Sequence, residues 1–342
     1  MNFVMLYVVM AYLWASILLY VLMGGADFGA GILEFLSTRK SKDQTRRVMY
    51  RAIGPIWEAN HMWLIIAIVI LFVGFPVIYA TVSVYLHIPL TIMLLGIVAR
   101  GTAFSFRNYD AVRDKMQTVY SKTFMYSSVI TPLFLGIIAG SAVSGKIDPQ
   151  ATHFLDAYIF SWLGFFPVSV GIFTVTICGF LAAIFIIGET KTEAERQRFI
   201  QKAKHMSLAA IAAAGLVLVA AHQDNIPLVH WLFGNPVSVI CVLLAALSLI
   251  WMWISLFRQS TQWLRIIAGA QITLLLVAIT YEHYPVLINL KDTEGLSLLT
   301  HKGSDKTIRS LAVALLAGSV FILPALFYLL YSFNRQEEPV EH

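Results

Sequence analysis

Residues 54–63, GPIWEANHMW, place Glu58, Asn60 and His61 at the start of a twenty-residue stretch that is almost wholly apolar and uncharged. A carboxylate three positions before a histidine lies about 60° from it on a helix, effectively on one face, while Asn60 points roughly the other way. Such a pair can pass protons near neutral pH, because burial tunes both groups. Two further stretches carry ionisable groups into apolar runs. GGADFGAG, residues 24–31, holds Asp27, and RGTAFSFR, residues 100–107, holds Arg100, Ser105 and Arg107. Each has a plainer reading as well. Glu58 can be a helix-capping acid, Arg100 can snorkel or pair with Asp27, and the glycines can serve close helix packing.

Metal and haem chemistry find little footing. Glu58-x-x-His61 matches half of the E-x-x-H pattern of di-iron helix bundles, but no second copy exists, so no metal is expected there. A haem held between helices needs two axial ligands facing each other from their interiors. The remaining histidines, such as His87, His205, His222 and His283, fall at span ends or in a basic turn. No C-x-x-C-H, Walker A or G-x-G-x-x-G pattern appears. Cys178 and Cys241 both lie within apolar runs, as packing residues do.

The elements that must position these groups are membrane helices. Hydrophobic residues make up 58% of the 342 and charged residues 13%, with a mean hydropathy of +0.76. A soluble domain carries about a quarter charged residues. The apolar runs are of helix length and do not alternate, which excludes a barrel. The expected fold is an all-α integral membrane protein of about nine spans. They fall near 3–23, 59–82, 84–106, 123–143, 157–188, 205–222, 237–257, 263–282 and 308–333. The first is too long for a signal peptide and lacks a cleavage site, so it reads as a retained span. Residues 1–188 form a first helix group, whose first four spans make one bundle. A charged, helix-friendly cytoplasmic connection follows at 189–204, read as a short extension of spans five and six. Residues 205–342 form a second group, bundled with span five, and the tail.

Charge sets the orientation. Nineteen of the 24 Lys and Arg residues fall on one side of this arrangement. The other side holds Lys146, Lys291, Lys302, Lys306 and Arg309. The positive-inside rule makes the richer side cytoplasmic, with the N-terminus outside and the C-terminus inside. The net charge of +5 is thus a topology signal and a contact with lipid headgroups, not a nucleic-acid surface. Span one, starting outside, brings residue 27 roughly 36 Å along its helix, to the cytoplasmic end of the bilayer. Span two starts at that end and span three finishes there. Three spans therefore deliver Asp27, Glu58 with His61, and Arg100 to one depth. Ionisable groups within a bundle commonly mark ion or proton routes.

With these residues placed, the pattern resembles subunit II of the cytochrome bd quinol oxidases. GGADFGAGIL is similar to that family's acid- and glycine-rich turn, GPIWEANHMWL to its G-P-x-W-x-x-N block, and RGTAFSFR to its R-G-x-A-F-x-F-R block. The second half of the chain matches in hydropathy more than in motif. The resemblance implies a non-haem-ligating subunit of a quinol:O2 oxidoreductase in the cytoplasmic membrane of a prokaryote. There the complex reduces O2 to water in aerobic respiration. It implies that haem b, haem d and the quinol site belong to the partner, subunit I, beside which subunit II packs and which it helps to assemble. Some members hold a quinone in subunit II as a structural lipid. The resemblance leaves room here for a bound quinone and for a small single-span accessory subunit. It also places Glu58 at the acid implicated in cytoplasmic proton uptake, where many members have Asp. His61 replaces a Glu, Ser105 replaces a frequent Glu, and one acid of the first block is missing, leaving Asp27. The expected proton route is then Glu58, His61 and Asp27, within a structural polar cluster of Trp57, Asn60, Arg100, Ser105 and Arg107. A secondary transporter is the alternative, though it calls for charged groups at the bilayer midplane, and here the midspan segments are apolar.

Overall fold

A computed structural model of the chain describes residues 3–53, 57–109 and 116–335. These are almost entirely helical. Helix α1 (Phe3–Leu19) runs through a π-helical turn at Tyr20–Gly24 into α2 (Gly25–Phe35). The three segments form one span of 33 residues, about 50 Å long. The sequence placed its end near residue 23. The glycine-rich block does not break it, because neighbouring helices close on the bare backbone. A Cβ on Gly29 would overlap the carbonyl oxygen of Cys178, and one on Gly31 would overlap the Ser128 side chain.

Helix α3 (Arg39–Ile53) carries basic residues and buries Val48 and Met49. It leads to α4 (Trp57–Gly74) and α5 (Pro76–Tyr85). Here the expectation of one continuous span over 59–82 is corrected. The axis turns by 114° between α4 and α5. Pro76 has no N–H for a helical bond back to the preceding turn, and its ring fits the first position of a new helix. Phe75, fully buried, sits at the corner with φ −136°.

Helices α6 (His87–Tyr109) and α7 (Met116–Ser144) pack closely along their lengths. A short α8 (Phe154–Tyr158) precedes α9 (Phe165–Ile187), which begins eight residues later than the apolar run suggested. Helix α10 (Glu193–Gln223) absorbs most of the expected connection at 189–204. Thr192 caps it, its hydroxyl accepting from the Glu195 amide at 3.2 Å. Then come α11 (Leu228–Phe233), α12 (Pro236–Phe257) and α13 (Leu264–His283). A small antiparallel hairpin of β1 (Val286–Ile288) and β2 (Leu296–Ser297) leads to α14 (Asp305–Arg335).

Eight helical stretches are long and apolar enough to cross a membrane, and the bent α4–α5 pair makes a ninth when taken as one unit. The most enclosed is α9, which packs against α2, α7 and α10. Free Cys178 lies at its crossing with α2, and Cys241 is also free and buried. The last span, α14, returns to the first, packing on α1 and α4, with Tyr12 and Ser319 hydroxyls 2.6 Å apart. One core surrounds Phe28, Leu33, Leu181 and Ile184, and a second, towards the hairpin, surrounds Val9, Ile70, Ile78 and Ile147.

Candidate functional site

Asp27 and Glu34 stand seven residues apart on α2, and Arg100 and Arg107 stand seven apart on α6. Seven residues are close to two helical turns, so each pair shares one face about 10 Å apart along its axis. The two helices run in parallel register, and the four residues form two rungs. In the first, Arg100 Nη1 lies 2.7 Å from Asp27 Oδ2, and Nη2 donates to Oδ1 at 2.7 Å. Nη2 also donates to the Asp27 carbonyl at 2.9 Å, and Nε donates to Ser128 Oγ at 3.1 Å. The rings of Phe28 and Phe124 face the guanidinium at 5.1 and 4.9 Å. Both members of the pair are buried, and the close ion pair, with one charge-assisted hydrogen bond and the Asp27 carbonyl and Ser128 as extra acceptors, is what makes such burial tolerable.

In the second rung Arg107 Nη1 donates to Glu34 Oε2 at 2.9 Å. Arg46, from α3, reaches Glu34 Oε1 with Nε at 2.9 Å and Nη2 at 2.8 Å. Phe124 serves this rung as well, its ring 4.1 Å from the Arg107 guanidinium. Lys202 of α10 donates to Ser37 Oγ at 2.7 Å and Thr45 Oγ1 at 2.9 Å. It thereby ties the start of α3 to the bundle.

His61 approaches the first rung from α4. Its Nε2 lies 3.5 Å from Asp27 Oδ2, and its ring sits among Tyr20, Phe28 and Trp57 at centroid distances of 5.6 to 6.4 Å. Facing Nε2 to a carboxylate favours the proton on that nitrogen and leaves Nδ1 as the acceptor. Nδ1 is buried without a hydrogen-bond partner among the described residues, as are Tyr20 Oη and Asn60 Oδ1. Buried polar atoms left this way are where internal water is expected.

Of the residues singled out by sequence, Asp27, His61 and Arg100 meet directly. Trp57 packs on His61 and on Phe104, the latter at 5.1 Å. Asn60 is buried. Arg107 belongs to the Glu34 rung, two turns from Asp27, and half-buried Ser105 joins neither rung among the described residues. The Glu58 side chain lies outside the described residues, as do Gly54 and Pro55; the Glu58 backbone belongs to the first turn of α4. The sequence reading left Asp27 as the one acid of the first span. Glu34 is a second, and equally buried. The signal that reveals it is the shared spacing of seven between the acids of one span and the arginines of another. Tyr20, Ser128 and Phe124 carried no such signal.

Among the described residues no three His, Cys, Asp or Glu side chains gather as a metal site. His61, the histidine within the polar cluster, is turned to Asp27 and enclosed by three aromatic rings.

A family model described as cytochrome bd terminal oxidase subunit II matches residues 5–333. The chain belongs to that family. It is 24% identical over 333 residues to cytochrome bd ubiquinol oxidase subunit 2 of Bacillus subtilis, a match covering 94% of this chain and 95% of that one. It is 20% identical over 342 residues to a putative cytochrome bd menaquinol oxidase subunit II of the same organism, covering 95% and 94%. The fold matches a chain of the bd oxidase from Geobacillus thermodenitrificans with a TM-score of 0.78, at 19% identity over 96% of this chain and 98% of that one. The protein is thus a multi-pass subunit of a bd-type terminal quinol oxidase. The transporter alternative finds no support in these matches.

Proposed function

We propose that this subunit ligates no haem. It packs beside a haem- and quinol-carrying subunit I in the cytoplasmic membrane, with its N-terminus outside, and lines the entrance of a proton-uptake route through Glu58 and His61. The observation that carries the reading is the contact of His61 Nε2 with Asp27 Oδ2 at 3.5 Å, inside a cluster otherwise sealed by aromatic rings. The Arg100 guanidinium makes 2.7 Å contacts with both carboxylate oxygens of Asp27. Asp27 therefore acts as a countercharge that orients the imidazole, and the groups free to exchange protons are His61 and Glu58. The family resemblance supports the same entrance. Haem b and haem d, bound by the partner, would supply the electron chemistry, and this chain's part is to hold and move protons on its own side. The exposed apolar face of α12 offers a surface for a structural quinone or a small accessory subunit.

The test uses the assembled complex. Glu58→Gln should slow oxygen consumption and proton uptake roughly tenfold or more, in the manner of a lost acid–base group. Glu58→Asp should be milder, because it keeps the carboxylate. Unchanged turnover in an assembled Glu58→Gln complex would refute the route. Loss of assembly would favour a capping role for the residue.

A further inference from the structure

We infer that the end of the bundle opposite the basic loops carries a binding site for an anionic phospholipid headgroup, seated between the start of α1 and the start of α14. A cavity of about 380 Å³ opens there, within the range of roughly 300–1,000 Å³ typical of small-ligand clefts. Its walls divide by chemistry. Phe3, Leu6 and Ile308 supply an apolar side, and Lys302, Lys306 and Arg309 supply the polar side.

The charges decide what fits. This end of the molecule has five basic residues, and three are committed to acids. Lys146 pairs with Asp224 at 2.7 Å, Lys291 pairs with Asp148 at 3.1 Å, and Lys302 pairs with Asp305. Lys306 and Arg309 have no acidic partner among the described residues, and both line the cavity. With Lys302 and Asp305 cancelling, the cavity keeps two unbalanced cations, which suits a phosphodiester.

Position selects a lipid over a soluble anion. Lys306 and Arg309 are exposed in the first turns of α14, and the apolar run of that helix begins among them. Below them α14 is the least enclosed of the spans, with Val313, Leu316, Val320 and Phe321 exposed. Across the cavity α1 exposes Phe3, Val4 and Tyr7. A headgroup on the two cations would thus have its acyl chains lie along α14. Cations beside a lipid surface each favour anionic headgroups by about 1 kcal/mol, or roughly fivefold in affinity.

The test takes the purified, delipidated oxidase complex and adds phosphatidylglycerol, phosphatidylcholine or inorganic phosphate. Native mass spectrometry reads bound lipid, and the thermal midpoint reads stabilisation. Phosphatidylglycerol should bind and stabilise, and the double variant Lys306→Gln/Arg309→Gln should weaken it more than about tenfold. Lys306→Arg should keep it. Equal retention in wild type and double variant would overturn the site, as would phosphatidylcholine binding as well as phosphatidylglycerol. Stabilisation by inorganic phosphate alone, matching the lipid, would overturn the lipid assignment.

Discussion

Two buried ion pairs in a membrane bundle demand an energetic reason. A pair such as Asp27–Arg100 gains little net stability over a well-packed apolar pair, but removing one partner strands a charge. Asp27→Asn should therefore cost about 3–5 kcal/mol, and Arg100→Met a similar amount. The double replacement Asp27→Leu/Arg100→Met should cost less than either alone. Thermal unfolding of the assembled complex measures this, and additive losses would show that the pair is not the unit supposed here. If the double variant folds but turns over slowly, the pair serves the orientation of His61 rather than stability. The sequence exposed the first rung because depth could be counted along three separate spans. It hid the second because a lone acid beyond a glycine block carries no local pattern. Glu34 stands out only when the registers of α2 and α6 are compared, and that comparison needs to know which helices are neighbours.

The elements were legible wherever composition changed sharply, and illegible where a break lay inside uniform apolar sequence. PVIYATVS is uncharged and mostly apolar like the run before it, so hydropathy merges α4 with α5, and Gly74-Phe75-Pro76 is the local cue that they part. The apolar window of the first span ends early for a related reason, whereas the charged, helix-friendly stretch 189–204 reads as an extension of the flanking spans and largely joins α10. Glycines and charges weaken a hydropathy window, although neighbouring helices and the Thr192 cap keep the backbone helical. The loops at the hairpin end meet in a way sequence cannot show. The Lys291 amide donates to the Ile147 carbonyl at 2.8 Å, and Lys291 Nζ donates to Asp148 Oδ2 at 3.1 Å. The bond to Lys291 holds the Asp148 carboxyl below its usual range, and the same bond raises Lys291. A depressed acid contributes stability above its unfolded value of about 4 and loses it as pH falls through the folded value. A raised lysine contributes fully below about 10.4 and loses it as pH rises through its folded value. The contact should therefore persist from mildly acidic to mildly alkaline pH and weaken at both extremes. Asp148→Asn should speed amide exchange at Lys291 near neutral pH, relative to wild type at the same pH. Equal protection in the two proteins would show that the ion pair adds nothing to the loop contact.

At the scale of the whole molecule, orientation is the property that the helices alone leave open, since a bundle packs equally well either way up. Charge breaks the tie. By sequence, nineteen of the Lys and Arg residues belong to the side of α3 and the start of α10, and five to the other. On the proposed orientation, which follows the positive-inside rule, α3, Arg46 and the Glu58 end of α4 face the cytoplasm, from which protons for oxygen reduction would be drawn. Single cysteines test this cleanly, because Cys178 and Cys241 are both buried and should stay silent. Arg47 is exposed on α3, and Gln150 is exposed in the loop after α7. In intact cells, Arg47→Cys should label only with a membrane-permeant reagent, and Gln150→Cys should label with an impermeant one. The reverse pattern would invert the protein, and would move the proposed proton entrance to the wrong side of the membrane for uptake from the cytoplasm.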